Sequence, residues 1–173
     1  KILKYINHNK LKNYYGIDLD INMLAKAINF NNLDNITFNS LDLSKDWVQK
    51  GSWYTMDKNT KYETVFAINS LQHFCSDIFW EQLNQITMKN TMMLFNLVDM
   101  ENNSQYNFEG SYIKRSDNVI TYYFSQVHTK EMSELFYCKD INYFLEKYGW
   151  TIIEEYKNDT LLHKCYKWFI IIK

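Results

Sequence analysis

The sequence predicts an α/β fold built on a mostly parallel sheet, and two observations carry that reading. From Tyr14 onward a strand, a helix and a second strand follow within about thirty residues, and each strand pattern ends on an aspartate. Further along, Val65-Phe66-Ala67-Ile68 and Thr91 to Val98 are apolar without alternation, as in strands buried on both faces. The 173 residues suit one domain with a core of its own, and no repeat or linker composition divides residues 1 to 173.

Ile2, Leu3, Ile6 and Leu11 fit the tail of a helix entering a polar turn at Asn7 to Lys10. Tyr14-Tyr15-Gly16-Ile17 is the first strand, closing on Asp18 and Asp20. Asp20 is placed to cap the next helix, whose Ile21, Leu24, Ala25 and Ile28 recur at helical spacing beside Ala27 and Phe30. Asn31-Asn32 turns the chain into the strand Ile36-Thr37-Phe38, which Asp42 follows. Residues 43 to 62 are polar and irregular around Trp47, Trp53 and Tyr54, either a lid or a surface excursion. Val65 to Ile68 empties into Asn69-Ser70-Leu71-Gln72-His73. A helix over Phe74 to Gln85 then places Ile78, Phe79, Leu83 and Ile86 on one side. Thr91 to Val98 ends at Asp99, residues 101 to 118 are a second polar excursion, and Val119 to Val127 is extended and aromatic. Ile141 to Tyr148 is a helix with Gly149 as its cap glycine. Trp150 to Tyr156 and Cys165 to Ile171 close the fold as an antiparallel pair. The segments 14–17, 36–40, 64–68 and 92–97 are expected to be parallel strands of one sheet.

Composition removes several function classes. The 19 basic and 20 acidic residues leave a net charge of -1, which excludes a strongly basic domain gripping duplex phosphates without sequence preference; a local basic groove stays open. Cys75, Cys138 and Cys165 are odd in number and widely spaced, which fits neither a disulfide scaffold nor a zinc site and points to a reducing, cytoplasmic setting. No apolar run approaches the roughly 18 residues of a spanning helix and no signal peptide opens the chain, so no membrane partner is expected. The chain begins at Lys1 without a methionine, as a fragment or processed chain would. Asp18, Asp42 and Asp99 follow strands without a His/Asp cluster at ligand spacing, and no metal is expected. No P-loop, serine elbow or zinc motif occurs.

Three pieces in order, Tyr15-Gly16-Ile17-Asp18, Phe38 to Asp42, and YETVFAINSLQHF from Tyr62, resemble the class I S-adenosylmethionine-dependent methyltransferases, over a span from about Tyr14 to the C-terminus. MSELFYCKDINYFLEKYGW, Met132 to Trp150, resembles the C-terminal part of messenger RNA cap guanine-N7 methyltransferases, particularly the poxvirus type. YKWFIIIK, Tyr166 to Lys173, resembles their last strand, and Phe66 to Ile68 is similar to a segment of the same enzymes. The resemblance implies a Rossmann-like sheet, mostly parallel with a C-terminal antiparallel pair, and S-adenosyl-L-methionine as cofactor. It implies methyl transfer to guanine N7 of the cap, with capped RNA and other subunits or domains of a viral capping enzyme as partners. It also implies that the family's first strand and glycine-rich loop lie upstream of Lys1, because Gly16 already stands at the second strand. That first strand is central in the family, so a gap or a foreign strand is expected between Tyr14–Ile17 and Val65–Ile68.

Asp18, at a strand end, suits two hydrogen bonds from ribose hydroxyls, or is a solvent-facing turn aspartate. Asp42 matches the family's acidic residue that meets the adenine amino group, or caps the turn at Ser44. Asn69 holds the reacting groups or a backbone turn, and His73 reaches substrate or caps a helix. Glu134 matches the family glutamate that takes the guanine N1–H and N2–H₂ together, or is an exposed glutamate paired with Lys130. Tyr137 and His128 line the same substrate cleft in this reading, although burial of Tyr137 against Phe144 fits equally. No general base is assigned: guanine N7 is an unprotonated lone pair, so alignment with the sulfonium methyl is what the transfer needs. Where cap methyltransferases show a histidine and an aromatic residue, this chain has Asn69 and Ser70. Two alternatives therefore stay open: a catalytically degenerate fold serving as a stimulatory or structural subunit, and a methyltransferase acting on a small molecule or protein.

Overall fold

A computed structural model describes residues 7, 10–30, 35–48, 56, 58–71, 74–98, 112–116, 119–125, 132–136, 141–157 and 166–173. The chain forms two compact units, Lys1–Asp57 and Lys58–Lys173. No helix among the described residues is long and apolar enough to cross a membrane.

In the first unit, strand β1 (Tyr14–Asp18), helix α1 (Ile21–Phe30) and strand β2 (Ile36–Ser40) form a β-α-β unit. The strands pair in parallel, from Tyr14 opposite Ile36 to Asp18 opposite Ser40. Asp20 caps α1 as expected: its Oδ1 accepts from Asn22 N at 2.8 Å and its carbonyl from Leu24 N at 3.1 Å. The buried face of α1 is narrower than its periodicity suggests. Leu24 is buried, while Ile21 and Ile28 are 70% and 50% exposed, because a two-stranded sheet covers only one row of the helix. Gly16 faces Phe38 across the ladder, and a Cβ there would lie 2.6 Å from Phe38 Cε1, so the ring takes the space a side chain would need. Trp47 is buried together with Leu41, Val48 and Met56, which makes its part of the polar segment an anchored excursion. Met56 N donates to Trp47 O at 2.9 Å. Trp53 and Tyr54 lie outside the described residues.

The second unit carries a four-stranded sheet in the order β3-β4-β9-β8: β3 (Tyr62–Ala67), β4 (Thr87–Val98), β9 (Tyr166–Ile172) and β8 (Thr151–Lys157). β3 and β4 are parallel; β9 runs antiparallel to both β4 and β8, so the closing pair enters the sheet through its later strand. A gap or a foreign strand is expected between Tyr14–Ile17 and Val65–Ile68, and the ladders break at that place. The ladders make two sheets, one holding β1 and β2 and the other β3 and β4, and among the described residues β1 and β3 are not paired.

β4 starts four residues earlier than the apolar run indicates. Its register against β3 jumps from Thr87 opposite Tyr62 to Met92 opposite Thr64, with Asn90 at φ +70° in the extra length. The Thr91 hydroxyl closes this bulge, donating to Tyr62 O at 2.7 Å and accepting from Met88 N at 3.0 Å.

One face of this sheet packs on α2 (Asp77–Ile86) and α3 (Ile141–Tyr148). Met93, Phe95 and Leu97 of β4 and Phe169 and Ile171 of β9 point to it, with Phe95 and Phe169 stacked at 5.0 Å. α2 begins later than its apolar pattern, because Ser76 is its cap and accepts from Phe79 N at 3.3 Å. Its inward side is Phe79, Trp80, Leu83 and Ile86, while Ile78 is exposed. Trp80 meets Phe144 of α3 and then Trp150, with ring centroids at 6.4 and 6.1 Å. Its indole N–H donates to Cys75 Sγ at 3.4 Å. α3 ends as expected. Gly149 takes φ +74°, Trp150 N donates to Leu145 O at 2.8 Å and Gly149 N to Glu146 O at 3.4 Å.

Between β4 and α3 the chain adds a three-stranded antiparallel sheet, β5 (Tyr112–Ser116), β6 (Val119–Ser125) and β7 (Met132–Phe136). Only its central strand was legible as an extended segment.

Candidate functional site

In an α/β sheet with parallel strands, ligands meet the carboxyl ends of those strands, where the backbone turns and polar side chains are free of the ladder. Each described parallel strand places a polar group there. Asp18 is the last residue of β1, and Asp42 stands two residues beyond Ser40, its register neighbour on β2. Both belong to the first unit. Asn69 and Asn96 mark the same end of β3 and β4 in the second.

Asp18 is exposed, and its Oδ1 accepts from Asp20 N at 3.0 Å. Its second oxygen meets no donor among the described residues, which leaves an acceptor of the kind a pair of ribose hydroxyls uses. Asp42 is more engaged. Its Oδ1 accepts from the hydroxyl and the N–H of Ser44, at 2.6 and 3.1 Å, and its Oδ2 meets Lys45 Nζ at 2.8 Å. The hydrogen bond from Lys45, then that from Ser44, holds its carboxyl below the usual range. Asp42 therefore caps its own turn and has few lone pairs left to offer a ligand.

Asn69 follows β3 with φ +54°, a left-handed conformation that asparagine tolerates better than most side chains. Asn96, fully buried on β4, holds it there: Asn96 Oδ1 accepts from Asn69 N at 2.6 Å, and Asn96 Nδ2 donates to Asn69 Oδ1. Asn96 was missed in the sequence because it sits inside an apolar run; an amide in such a run is the signal that points to it. Across the sheet it pairs with Trp168, which pairs with Tyr156, and those two rings lie parallel at 6.2 Å.

Glu134 lies in β7, opposite Tyr123 of β6, and β7 approaches β4. His73, His128 and Tyr137 lie outside the described residues. Cys75 is no candidate nucleophile: burial pushes its thiol up, far from the thiolate form.

A recess of about 430 Å³ lined by Lys58, Asn59, Lys61 and Gln85 opens at the other end of β3. Lys61 of this lining, and Lys173 from the end of the chain, have structural partners. Lys61 donates to Gln85 O, and Lys173 donates to Asn84 O and Thr87 Oγ1, both at 3.0 Å. They supply α2 with the C-terminal cations its own last turn lacks.

No family model matches the sequence, and no curated protein matches it. Solved structures do. The chain is similar to an S-adenosylmethionine-dependent methyltransferase from Mesorhizobium loti, with 11% identity and a TM-score of 0.70 over 99% of this chain and 85% of that one. It is similar to another from Clostridium acetobutylicum, with 14% identity and a TM-score of 0.63 over 95% and 76% of the two chains. It is also similar to the glycopeptide N-methyltransferase MtfA in complex with S-adenosyl-L-homocysteine, with 10% identity and a TM-score of 0.61 over 91% and 72%. The fold is that of the class I methyltransferases. Its parallel strands β1, β2 and β3 carry Asp18, Asp42 and Asn69 at or just past their carboxyl ends.

Proposed function

We propose that this chain is an S-adenosylmethionine-dependent methyltransferase and that its acceptor is guanine N7 of an RNA cap. The observation that carries the first part is the exposed carboxylate of Asp18 at the end of β1, with one oxygen uncommitted, in a chain of methyltransferase fold. Taken each in its own unit, Asp18 offers acceptor lone pairs of the kind ribose hydroxyls use, and Asn69 offers an exposed carboxamide. Asp42 contributes less, because Ser44 and Lys45 already occupy its oxygens.

When bound, S-adenosylmethionine supplies a methyl group on a sulfonium, open to in-line attack. The residues of this chain bind and orient. Asp18 fixes the ribose, Asn69 fixes a group at the end of β3, and Glu134 on β7 takes the guanine N1–H and N2–H₂. No side chain has to remove a proton, because N7 attacks through a free lone pair, so the rate comes from orientation and exclusion of water. The cap as acceptor rests on the resemblance of Met132 to Trp150 to the cap enzymes. Similarity to MtfA, a glycopeptide N-methyltransferase, supports a second reading, in which the acceptor is a small molecule or peptide.

Calorimetric titration with S-adenosylhomocysteine tests the cofactor, with binding expected at micromolar concentration; no binding at millimolar concentration overturns the proposal. Transfer of labelled methyl to a capped oligonucleotide, beside an uncapped one and a panel of amines, separates the two acceptors. In the cap reading Glu134→Gln keeps cofactor affinity and loses roughly 30- to 1000-fold in transfer to the cap, because a donor then faces a guanine donor.

A further inference from the structure

The carboxamides of Asn69 and Asn96 form a relay whose direction is fixed at one end. The backbone N–H of Asn69 can only donate, and it meets Asn96 Oδ1 at 2.6 Å. That contact assigns the oxygen of the Asn96 amide to the position facing this N–H, so the other terminal atom is nitrogen. Asn96 is fully buried, and its nitrogen needs an acceptor inside the protein. Asn69 Oδ1 is that acceptor. One group of the relay is then left over, Asn69 Nδ2. Asn69 is exposed, and no described residue accepts from this nitrogen.

We infer that Asn96 is a positioning residue that locks Asn69 as a hydrogen-bond donor at the carboxyl end of β3, so that the ligand group received there is an acceptor oxygen. An asparagine free to turn over presents oxygen or nitrogen as the ligand requires. Asn69 is pinned from behind and presents N–H alone. It selects a carboxylate or carbonyl oxygen and rejects an ammonium or amide donor. The inference rests on the proposed reading, in which the end of β3 faces the ligand. The oxygen has two sources there, the carboxylate of the cofactor's amino-acid end or an oxygen of the methyl acceptor.

Two substitutions at position 69 separate donor from acceptor. Asn69→Asp keeps an oxygen for Asn96 Nδ2 and replaces the outward donor with a second oxygen. Asn69→Gly keeps the left-handed backbone and presents nothing. Affinity for S-adenosylhomocysteine is expected to fall in the order wild type, Asn69→Gly, Asn69→Asp, the last by about tenfold or more. Methylthioadenosine lacks the amino-acid end, and its binding should not change if the carboxylate is the partner. If the partner is on the methyl acceptor, cofactor affinity holds in Asn69→Asp and the KM for capped oligonucleotide rises instead. An Asn69→Asp protein that equals or exceeds wild type in both assays overturns the donor assignment.

The positioning role of Asn96 is read from a double-mutant cycle. Asn96→Leu should weaken S-adenosylhomocysteine binding severalfold when Asn69 is intact and leave it unchanged in the Asn69→Gly background. An equal loss in both backgrounds means that Asn96 supports the fold and not the orientation of Asn69. Side-chain amide exchange by NMR tests the relay without any ligand: the Asn96 NH₂ should exchange slowly and the Asn69 NH₂ fast. Fast exchange at Asn96 overturns the relay. If the exchange pattern holds and wild type binds no S-adenosylhomocysteine, the methyltransferase proposal fails and the orientation of Asn69 stands.

Discussion

Asn84 on α2 grips the end of α3 at two points: its Oδ1 accepts the indole N–H of Trp150 at 3.0 Å, and its Nδ2 donates to the carbonyl of Tyr148, also at 3.0 Å. One amide thus satisfies a buried ring donor and a helix-terminal carbonyl, and holds the Trp80–Trp150 contact in place. Asn84→Leu leaves both groups without their partner, and the expected loss is about 1–3 kcal/mol. Urea unfolding monitored by tryptophan fluorescence measures it. A loss below about 0.5 kcal/mol, the level of an ordinary surface substitution, would show that water takes over both contacts.

Gly149 is needed for its backbone and not for its size. A Cβ there meets nothing within 4 Å, yet φ is +74°. Gly149→Ala should cost about 1–2 kcal/mol through the left-handed penalty alone, and Gly149→Asn clearly less. Equal losses for alanine and asparagine would place the cost elsewhere.

Asp77 gives the second unit an acid-sensitive joint. Burial raises its carboxyl, but hydrogen bonds from Lys147 at 2.7 Å and the Tyr148 hydroxyl at 2.6 Å outweigh this, and the net shift is downward from 3.8. A carboxyl depressed in the folded state binds its proton more readily in the unfolded chain. Its contribution is complete above the unfolded value and fades as pH falls through the lower folded one. Wild type should lose stability relative to Asp77→Asn as pH drops below about 4, and the two curves should run parallel above pH 5. The group is half exposed, so salt should shrink the difference. A difference between the two proteins that does not change with pH would count against this joint.

Asp18 is expected to matter for ligand and not for fold. Its carboxylate is exposed and makes one local contact, with Asp20 N. Asp18→Ala should leave the thermal midpoint within a degree or two and weaken S-adenosylhomocysteine about tenfold or more. A drop in the midpoint without a change in affinity would make Asp18 a turn residue alone.

The order of strands and helices was legible because it depends on periodicity and on a few punctuating residues. Asp20 before α1 and Gly149 after α3 each act at the position their chemistry suggests. Helix faces were less legible. Ile78 and Ile28 fit an apolar stripe yet stay exposed, and Trp80 is fully buried, because the facing layer decides which row is covered. Strand pairing was the least legible. Nothing local in YKWFIII states that β9 lies between β4 and β8, since that ladder joins residues far apart in the chain. At the site, Asp18 and Asn69 were visible as polar residues at strand ends. Asn96 was not, because its role depends on a partner twenty-seven positions away. Asp42 was legible as a choice between two roles, and the structure shows it occupied by its own turn.

The position of β9 has a consequence for how the protein is made. β9 pairs with β4 on one side and β8 on the other, yet it follows both in the chain. As the polypeptide leaves the ribosome, β4 must wait, with one ladder edge open, through the synthesis of β5, β6, β7, α3 and β8. An unpaired apolar edge is a template for the wrong neighbour. The interval between the appearance of Val98 and that of Tyr166 is therefore the period in which a nascent chain of this sequence most needs a chaperone. The β1-α1-β2 unit, whose strands are separated by a single helix, has no such delay.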